Sequence, residues 1–262
     1  MHNIFDIACN FTSERFDKDL EIVIERAIKN NVTKFGLICS SISDIPKLIH
    51  IQKTYSELMS FTIGVHPHHA SEVDESSLIE LKNLINKHSP NAIGETGLDF
   101  FRNLSTYDEQ IYAFEEQIKI AIELNKPLFL HQRDSHNDFI KILKKYASDI
   151  NKAVVHCFTG TQSELDDYLE LNFFIGVTGW ICDEKRNVEL RKTIKNIPLS
   201  KLMIETDCPY LIPKNLADKP SNNRNEPSYL NHIVDEISLL MEIDKNNLLK
   251  ETYLNSVNFF DN

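Results

Sequence analysis

The chain has 262 residues, 42% of them hydrophobic, which is enough for a sizeable core and within the length range of one α/β barrel. Twenty-eight basic residues against 39 acidic ones leave a net charge of −11, which opposes non-specific adhesion to nucleic acid or anionic membranes but does not exclude phosphate chemistry around bound divalent cations. No apolar run reaches the roughly 18 residues of a membrane span, and Met1 to Asp6 lacks the basic-then-apolar character of a secretory signal, so a cytoplasmic location is expected.

Ile4 to Cys9 reads as a first strand, followed by a polar link and a helix over 17–30 whose apolar stripe is Leu20, Ile22, Val23, Ala27 and Ile28. Lys34 to Cys39 is a second strand, and Pro46 falls in the first turn of the helix that starts near Ser43 or Asp44. A third strand, Phe61 to His66, precedes a helix over 75–88. The fourth, Asn91 to Asp99, carries Glu95 and leads to a long helix over 106–124. Two strands then end in histidine, Pro127 to His131 and Ala153 to His156, with helices over 136–146 and 163–171 after them. Phe173 to Thr178 is the seventh strand, with helical sequence over 185–196. Leu202 to Asp207 is the eighth and carries Glu205. The stretch 209–227, rich in proline and asparagine, is the most loop-like part of the chain and is placed to overhang Asp207; a last helical region, 228–259, breaks near 243–246. Strands alternating with helices predict a (β/α)8 TIM-type barrel in one domain, 1–262. An open doubly wound sheet is the rival, but no Gly-rich dinucleotide turn follows the first strand.

Glu95, His131, His156 and Asp207 each follow an apolar strand run, spaced by one, one and two strand-helix units. Parallel crossovers take a dozen or more residues, so this spacing stacks the four side chains at the carboxyl end of the sheet, where such folds bind ligands. Imidazole with carboxylate suits zinc, manganese or iron, and carboxylates also accept magnesium. Glu95, His131 and His156 are the metal-ligand candidates. Asp207 reads as a general base that takes the proton of an attacking water, with metal contact as an accompaniment. Glu205 shares a strand face with it, as a second acid at the metal or a deeper hydrogen-bond partner.

His66, closing the third strand, is a candidate for a substrate phosphate or a second ion, whereas His68 and His69 are expected to be solvated. Among the rim cations Arg102, Arg133, Lys185 and Arg186, Arg133 is the best placed to clamp phosphate oxygens. Phe100, Phe101 and Trp180 follow strand ends; capping the core is their expected role, and stacking a splayed base is the alternative. The five cysteines have no CxxC spacing, so disulfides are not expected.

Five ordered motifs carry a resemblance: Gly64-Val-His-Pro67, Ile93-Gly-Glu-Thr-Gly-Leu-Asp99, Leu130-His-Gln-Arg133, Val155-His-Cys-Phe-Thr-Gly160 and Ile204-Glu-Thr-Asp-Cys-Pro-Tyr-Leu211. Together they resemble the TatD family of metal-dependent deoxyribonucleases. The resemblance implies a TIM-type barrel of the amidohydrolase-like class that hydrolyses phosphodiester bonds in DNA, trims single strands from the 3′ end and is linked to DNA repair. It places the family's metal-binding acid on Glu95, its histidines on His131 and His156, and its catalytic aspartate on Asp207. Magnesium is the ion expected in function, with manganese or zinc as alternatives; RNA stays open as a substrate, no membrane partner is implied, and a monomer is expected.

Many members carry His-x-His on the first strand, where this chain has Ala8 and Asn10, as the TatD branch proper does. That departure points to one firmly held ion, with a second arriving with substrate, and leaves the amide oxygen of Asn10 to reach an ion or a phosphate. The rival chemistry is hydrolysis of a misacylated tRNA ester, an amide or a lactone. Against it, Glu95 stands where a typical amidohydrolase would carry a bridging modified lysine. A non-enzymatic scaffold is the remaining class.

Overall fold

In a computed structural model that describes residues 3–185 and 187–261, the strands pair in parallel and in chain order. They are β1 (Ile4–Cys9), β2 (Val32–Leu37), β3 (Met59–Ile63), β4 (Ala92–Asp99), β5 (Leu128–Arg133), β6 (Ala153–Val155), β7 (Phe174–Val177) and β8 (Leu202–Ile204). The chain just past β8 returns to β1, where Cys9 bridges Cys208 in parallel and the Asn10 amide donates to the Cys208 carbonyl at 2.8 Å. One bridge and one hydrogen bond bring the end of β8 back to β1, so the barrel is nearly closed. Around it lie α1 (Leu20–Lys29), α2 (Ile45–Thr54), α3 (Glu75–His88), α4 (Tyr107–Glu123), α5 (His136–Tyr146), α6 (Gln162–Glu170), α7 (Val188–Thr193), α8 (Leu230–Met241) and α9 (Lys245–Phe260). Three of these start where a capping box sets them: Asp74 with Ser77, Thr106 with Glu109 and Thr161 with Glu164. Each such cap is worth about 1 kcal/mol. No helix among the described residues is long and apolar enough to cross a membrane.

Period-two alternation decides what each strand presents to the inside. Leu128 and Leu130, Ala153 and Val155, Ile175 and Val177, and Leu202 and Ile204 point outward into the layer shared with the helices. Phe5, Ile7, Ala92, Phe129, Val154, Phe174 and Met203 fill the interior, sealed by Phe259 and Phe260 from the end of α9. Phe260 stacks on Phe5 at 5.2 Å and meets Phe259 edge-on at 4.9 Å. Burying each large ring contributes about 2 kcal/mol. Two residues beyond Phe129 stands His131, beyond Val154 stands His156, and beyond Met203 stands Glu205. The polar layer therefore sits directly on the apolar one.

Five strands end sooner than the sequence reading has them: β2 and β7 stop at Leu37 and Val177, before Cys39 and Thr178, and three others stop short of site residues. β3 stops at Ile63, β6 at Val155 and β8 at Ile204, so His66, His156, Glu205 and Asp207 lie just past the ladders. His156 and Glu205 each keep one last strand-type bond, to the Leu130 carbonyl at 2.9 Å and the Val177 carbonyl at 3.1 Å. Asp207 then turns away with φ 56°, a left-handed conformation that aspartate tolerates. β5 does the opposite, running past His131 to Arg133, while β4 ends at Asp99 as expected. The segment expected as helix over 185–196 holds the short α7, continued by a 3-10 turn, Ile194–Asn196. The loop after Asp207 is tied down: Arg224 pairs with Asp19 and Glu226 at 2.7 Å each, and Arg15 donates to the Pro209 carbonyl at 3.1 Å and the Asn223 carbonyl at 2.7 Å.

Candidate metal centre and active site

Strict alternation from Ala92 would turn Glu95 outward. The β4–β5 register shifts between Ile93 and Thr96, and this irregularity brings the carboxylate inside, as bulges near active sites do. The shift needs Gly94: its φ is 150°, and a Cβ there would lie 2.4 Å from the Phe129 carbonyl oxygen. Glu95 is 5% exposed, and an uncompensated carboxylate at that depth would be costly.

Compensation comes from three imidazoles at one oxygen. Oε1 of Glu95 is 2.7 Å from His156 Nε2, 2.8 Å from His131 Nδ1 and 3.4 Å from His66 Nε2. His131 Nδ1 is in turn 3.4 Å from His156 Nε2 and 3.3 Å from His66 Nε2. His66, Glu95 and His131 offer ligand atoms all within 4.8 Å of one another. Burial opposes ionisation of Glu95, but the neighbouring imidazoles outweigh it and hold its carboxyl well below the usual carboxylate range.

The outer nitrogens distinguish the three histidines. Nε2 of His131 faces Asp99 Oδ2 at 3.5 Å, and Nδ1 of His156 faces Glu205 Oε2 at 3.5 Å. A carboxylate behind the ring draws the single proton of a neutral imidazole outward and leaves the inner lone pair to a cation, a recurring pattern at metal sites. Both rings have raised pKa values: burial works against their charged forms, but the carboxylates on either side outweigh it. Loading an ion would therefore release protons. His66 differs. Its outer Nδ1 accepts the His68 backbone N–H at 3.0 Å, and burial pushes its pKa down to about 4, so the ring is neutral with its proton on Nε2. That nitrogen is a donor aimed at Glu95.

Two inner lone pairs and a carboxylate oxygen packed this closely fit a divalent cation by their donor chemistry. Asp207 opens on the same cavity, of about 1430 Å³, and accepts the Asn10 side-chain amide on Oδ1 at 2.9 Å. Burial raises its pKa to about 7, the His156 charge opposing this and the Glu95 and Glu205 charges adding to it. Glu205 is fully buried, accepts the Cys157 backbone N–H on Oε1 at 2.5 Å, and stands behind His156.

Of the rim residues, Arg102 and Arg133 line the cavity, Arg133 with its guanidinium carbon 3.9 Å from the centre of the Phe101 ring. Lys185 lines a separate surface cleft, and Arg186 lies outside the described residues. His68, expected to be solvated, is bonded to Asp99 at 2.7 Å, whereas His69 pairs with the exposed Glu72. Two acids escaped the sequence reading. Asp99 accepts the Phe101 and Arg102 amides on one oxygen, at 3.0 and 2.8 Å, and His68 on the other. Asp6, wholly buried, takes the Thr206 amide at 2.8 Å and the Thr206 hydroxyl at 2.5 Å, bracing the turn that presents Asp207. The signal for Asp6 was an acid inside an apolar strand run, a pattern that calls for a buried partner.

The model for TatD related DNases matches residues 5–261. A protein of Erwinia tasmaniensis named 3′-5′ ssDNA/RNA exonuclease TatD is 42% identical over 98% of this chain and 100% of its own length. One of the same name from Pectobacterium atrosepticum is 43% identical over 90% of each chain. The crystal structure of a TatD family hydrolase from Entamoeba histolytica superposes with a TM-score of 0.90 at 30% identity, covering 99% of this chain and 98% of that one. The chain belongs to the TatD related DNase family.

Proposed function

We propose that the chain is a divalent-metal-dependent exonuclease that shortens single-stranded DNA, and RNA, from the 3′ end, by direct attack of water on the terminal phosphodiester. The observation that carries this reading is the meeting of His131 and His156 on one oxygen of Glu95, at 2.8 and 2.7 Å, in a cavity that Asp207 shares. The names of the Erwinia and Pectobacterium relatives support the substrate and the polarity.

Glu95, His131 and His156 would hold the ion, with Asp207 as a further contact. A divalent ion there supplies positive charge to the phosphate oxygens and makes water more acidic. Nitrogen donors favour manganese or zinc, whereas magnesium suits the carboxylates and a substrate phosphate. Asp207 takes the proton of the attacking water on Oδ2, because Oδ1 is engaged by Asn10. His66 has one Nε2 proton, held toward Glu95, and donates it to an incoming phosphate oxygen. Glu205 and Asp99 act through His156 and His131 by fixing their rings. Arg133 adds charge at the rim. Work as a monomer in the cytoplasm, in DNA repair or degradation, completes the proposal, and the five free cysteines are in keeping with a reducing compartment.

An end-labelled single strand, incubated with magnesium, manganese or zinc and then with chelator, tests it. Stepwise loss from the 3′ end that chelation stops and metal restores is expected. Cleavage of a misacylated tRNA ester or a lactone, with no shortening of the strand under any ion, would replace it. His66→Ala separates donor from ligand: the expected result is unchanged metal content with KM raised about 10-fold, the cost of one hydrogen bond to a charged group. Loss of the ion would return His66 to the ligand set.

A further inference from the structure

Phe101 does not cap the core. Its neighbour Phe100 does, packing inward and against Tyr107 at 5.2 Å, while Phe101 remains 57% exposed. A single exposed aromatic would need no explanation, but this one is held in place on three sides. Its amide and that of Arg102 are fixed to Asp99 Oδ1, the Phe100 amide is bonded to the Arg133 carbonyl at 3.0 Å, and the Arg133 guanidinium lies 3.9 Å from its ring centre. Asp99 and Arg133 are register partners on β4 and β5, so the pair is set on the barrel wall. The other oxygen of Asp99 faces His131 at 3.5 Å, which ties the ring's position to the metal centre. Phe101, Arg102 and Arg133 all line the cavity into which Glu95 and Asp207 open.

A planar cation stacked with an exposed ring, next to a phosphodiester site in a chain of net charge −11, has the chemistry of an unpaired nucleobase contact. Every base offers a π-face, and stacking ignores the sugar 2′-hydroxyl, so such a contact accepts DNA and RNA of any sequence. We propose that Phe101 and Arg133 form a stacking platform for one unpaired base of the strand whose terminal phosphodiester enters the cavity. This rests on the nuclease reading and adds to it the part of the substrate that is gripped outside the chemistry.

The test pairs the platform with the base. KM is measured for the metal-loaded wild type, Phe101→Ala and Phe101→Trp, on a single strand with all bases present and on strands with an abasic residue at each terminal position in turn. Phe101→Ala is expected to raise KM about 10-fold on the intact strand, the size of one lost base–aromatic contact, and Phe101→Trp to restore it. At one abasic position the wild type rises by a similar factor and the alanine variant rises no further. An alanine variant equal to the wild type on the intact strand, or a penalty undiminished at every abasic position, overturns the platform and leaves the nuclease reading intact. If the wild type shortens no strand at all, the nuclease reading falls first and the platform with it.

Discussion

Asp207→Asn is expected to leave the protein folded and its ion bound while lowering turnover by about 100- to 10,000-fold, the range for loss of a general base. The substitution is nearly isosteric, and an amide can still accept the Asn10 hydrogen bond that Oδ1 now receives at 2.9 Å. What disappears is the proton acceptor. The pH profile supplies a second reading of the same role. Burial raises the Asp207 carboxyl to about 7, and a base works only when ionised, so wild-type kcat/KM is expected to fall as pH drops below about 7, by a decade per unit at the acid end. A cation beside it moves that midpoint down. With metal held saturating, so that protonation of His131 and His156 does not empty the site, Asp207→Asn should lose this limb and show a flat residual rate. Near-normal turnover in the variant, or an acid limb that survives it at saturating metal, would remove Asp207 from the proton transfer.

The barrel and the membership of its centre were legible because both follow from periodicity. Apolar runs ending in His131 and His156, together with crossover spacing, put both at one end of the ring, and the structure stands them above Phe129 and Val154 on the inward face. Other features depend on events that leave no periodic trace. Glu95 is inside only because the β4–β5 register slips by Gly94; strict period-two counting would have turned it outward, although the strand-end reading reached the right conclusion. Glu205 was open between a second acid at the metal and a deeper partner; its position behind His156, 3.5 Å from Nδ1, favours the second. Asp99, by contrast, closes β4 at a place where an acid is ordinarily solvated, so nothing local marked it. It is instead 1% exposed and bonded to the backbone of its own loop and to His68. The proton on His66 was equally hidden, since it depends on the His68 amide turning back onto Nδ1. Sequence spacing shows which side chains can meet, whereas hydrogen bonds from the loops decide which atom each one presents.

Glu95→Gln is expected to act on the ion itself, lowering metal affinity by more than about 100-fold, since even partners behind metal ligands are worth 10- to 100-fold. Oε1 of Glu95 lies within 3.4 Å of all three imidazoles, so this carboxylate is the one negative charge they share. An amide keeps the volume but not the charge, and its NH2 group would face inner nitrogens that must offer lone pairs. Without the carboxylate, His131 and His156 also lose part of what raises their pKa values. Metal titration of the purified variant reads the loss directly, and affinity equal to wild type would contradict the ligand assignment. Activity at high metal then separates the two acids. Turnover of Glu95→Gln should recover in part as the ion concentration rises, because mass action refills a weakened site. Asp207→Asn should gain nothing from the same excess, because its site is already filled and its proton acceptor is still missing.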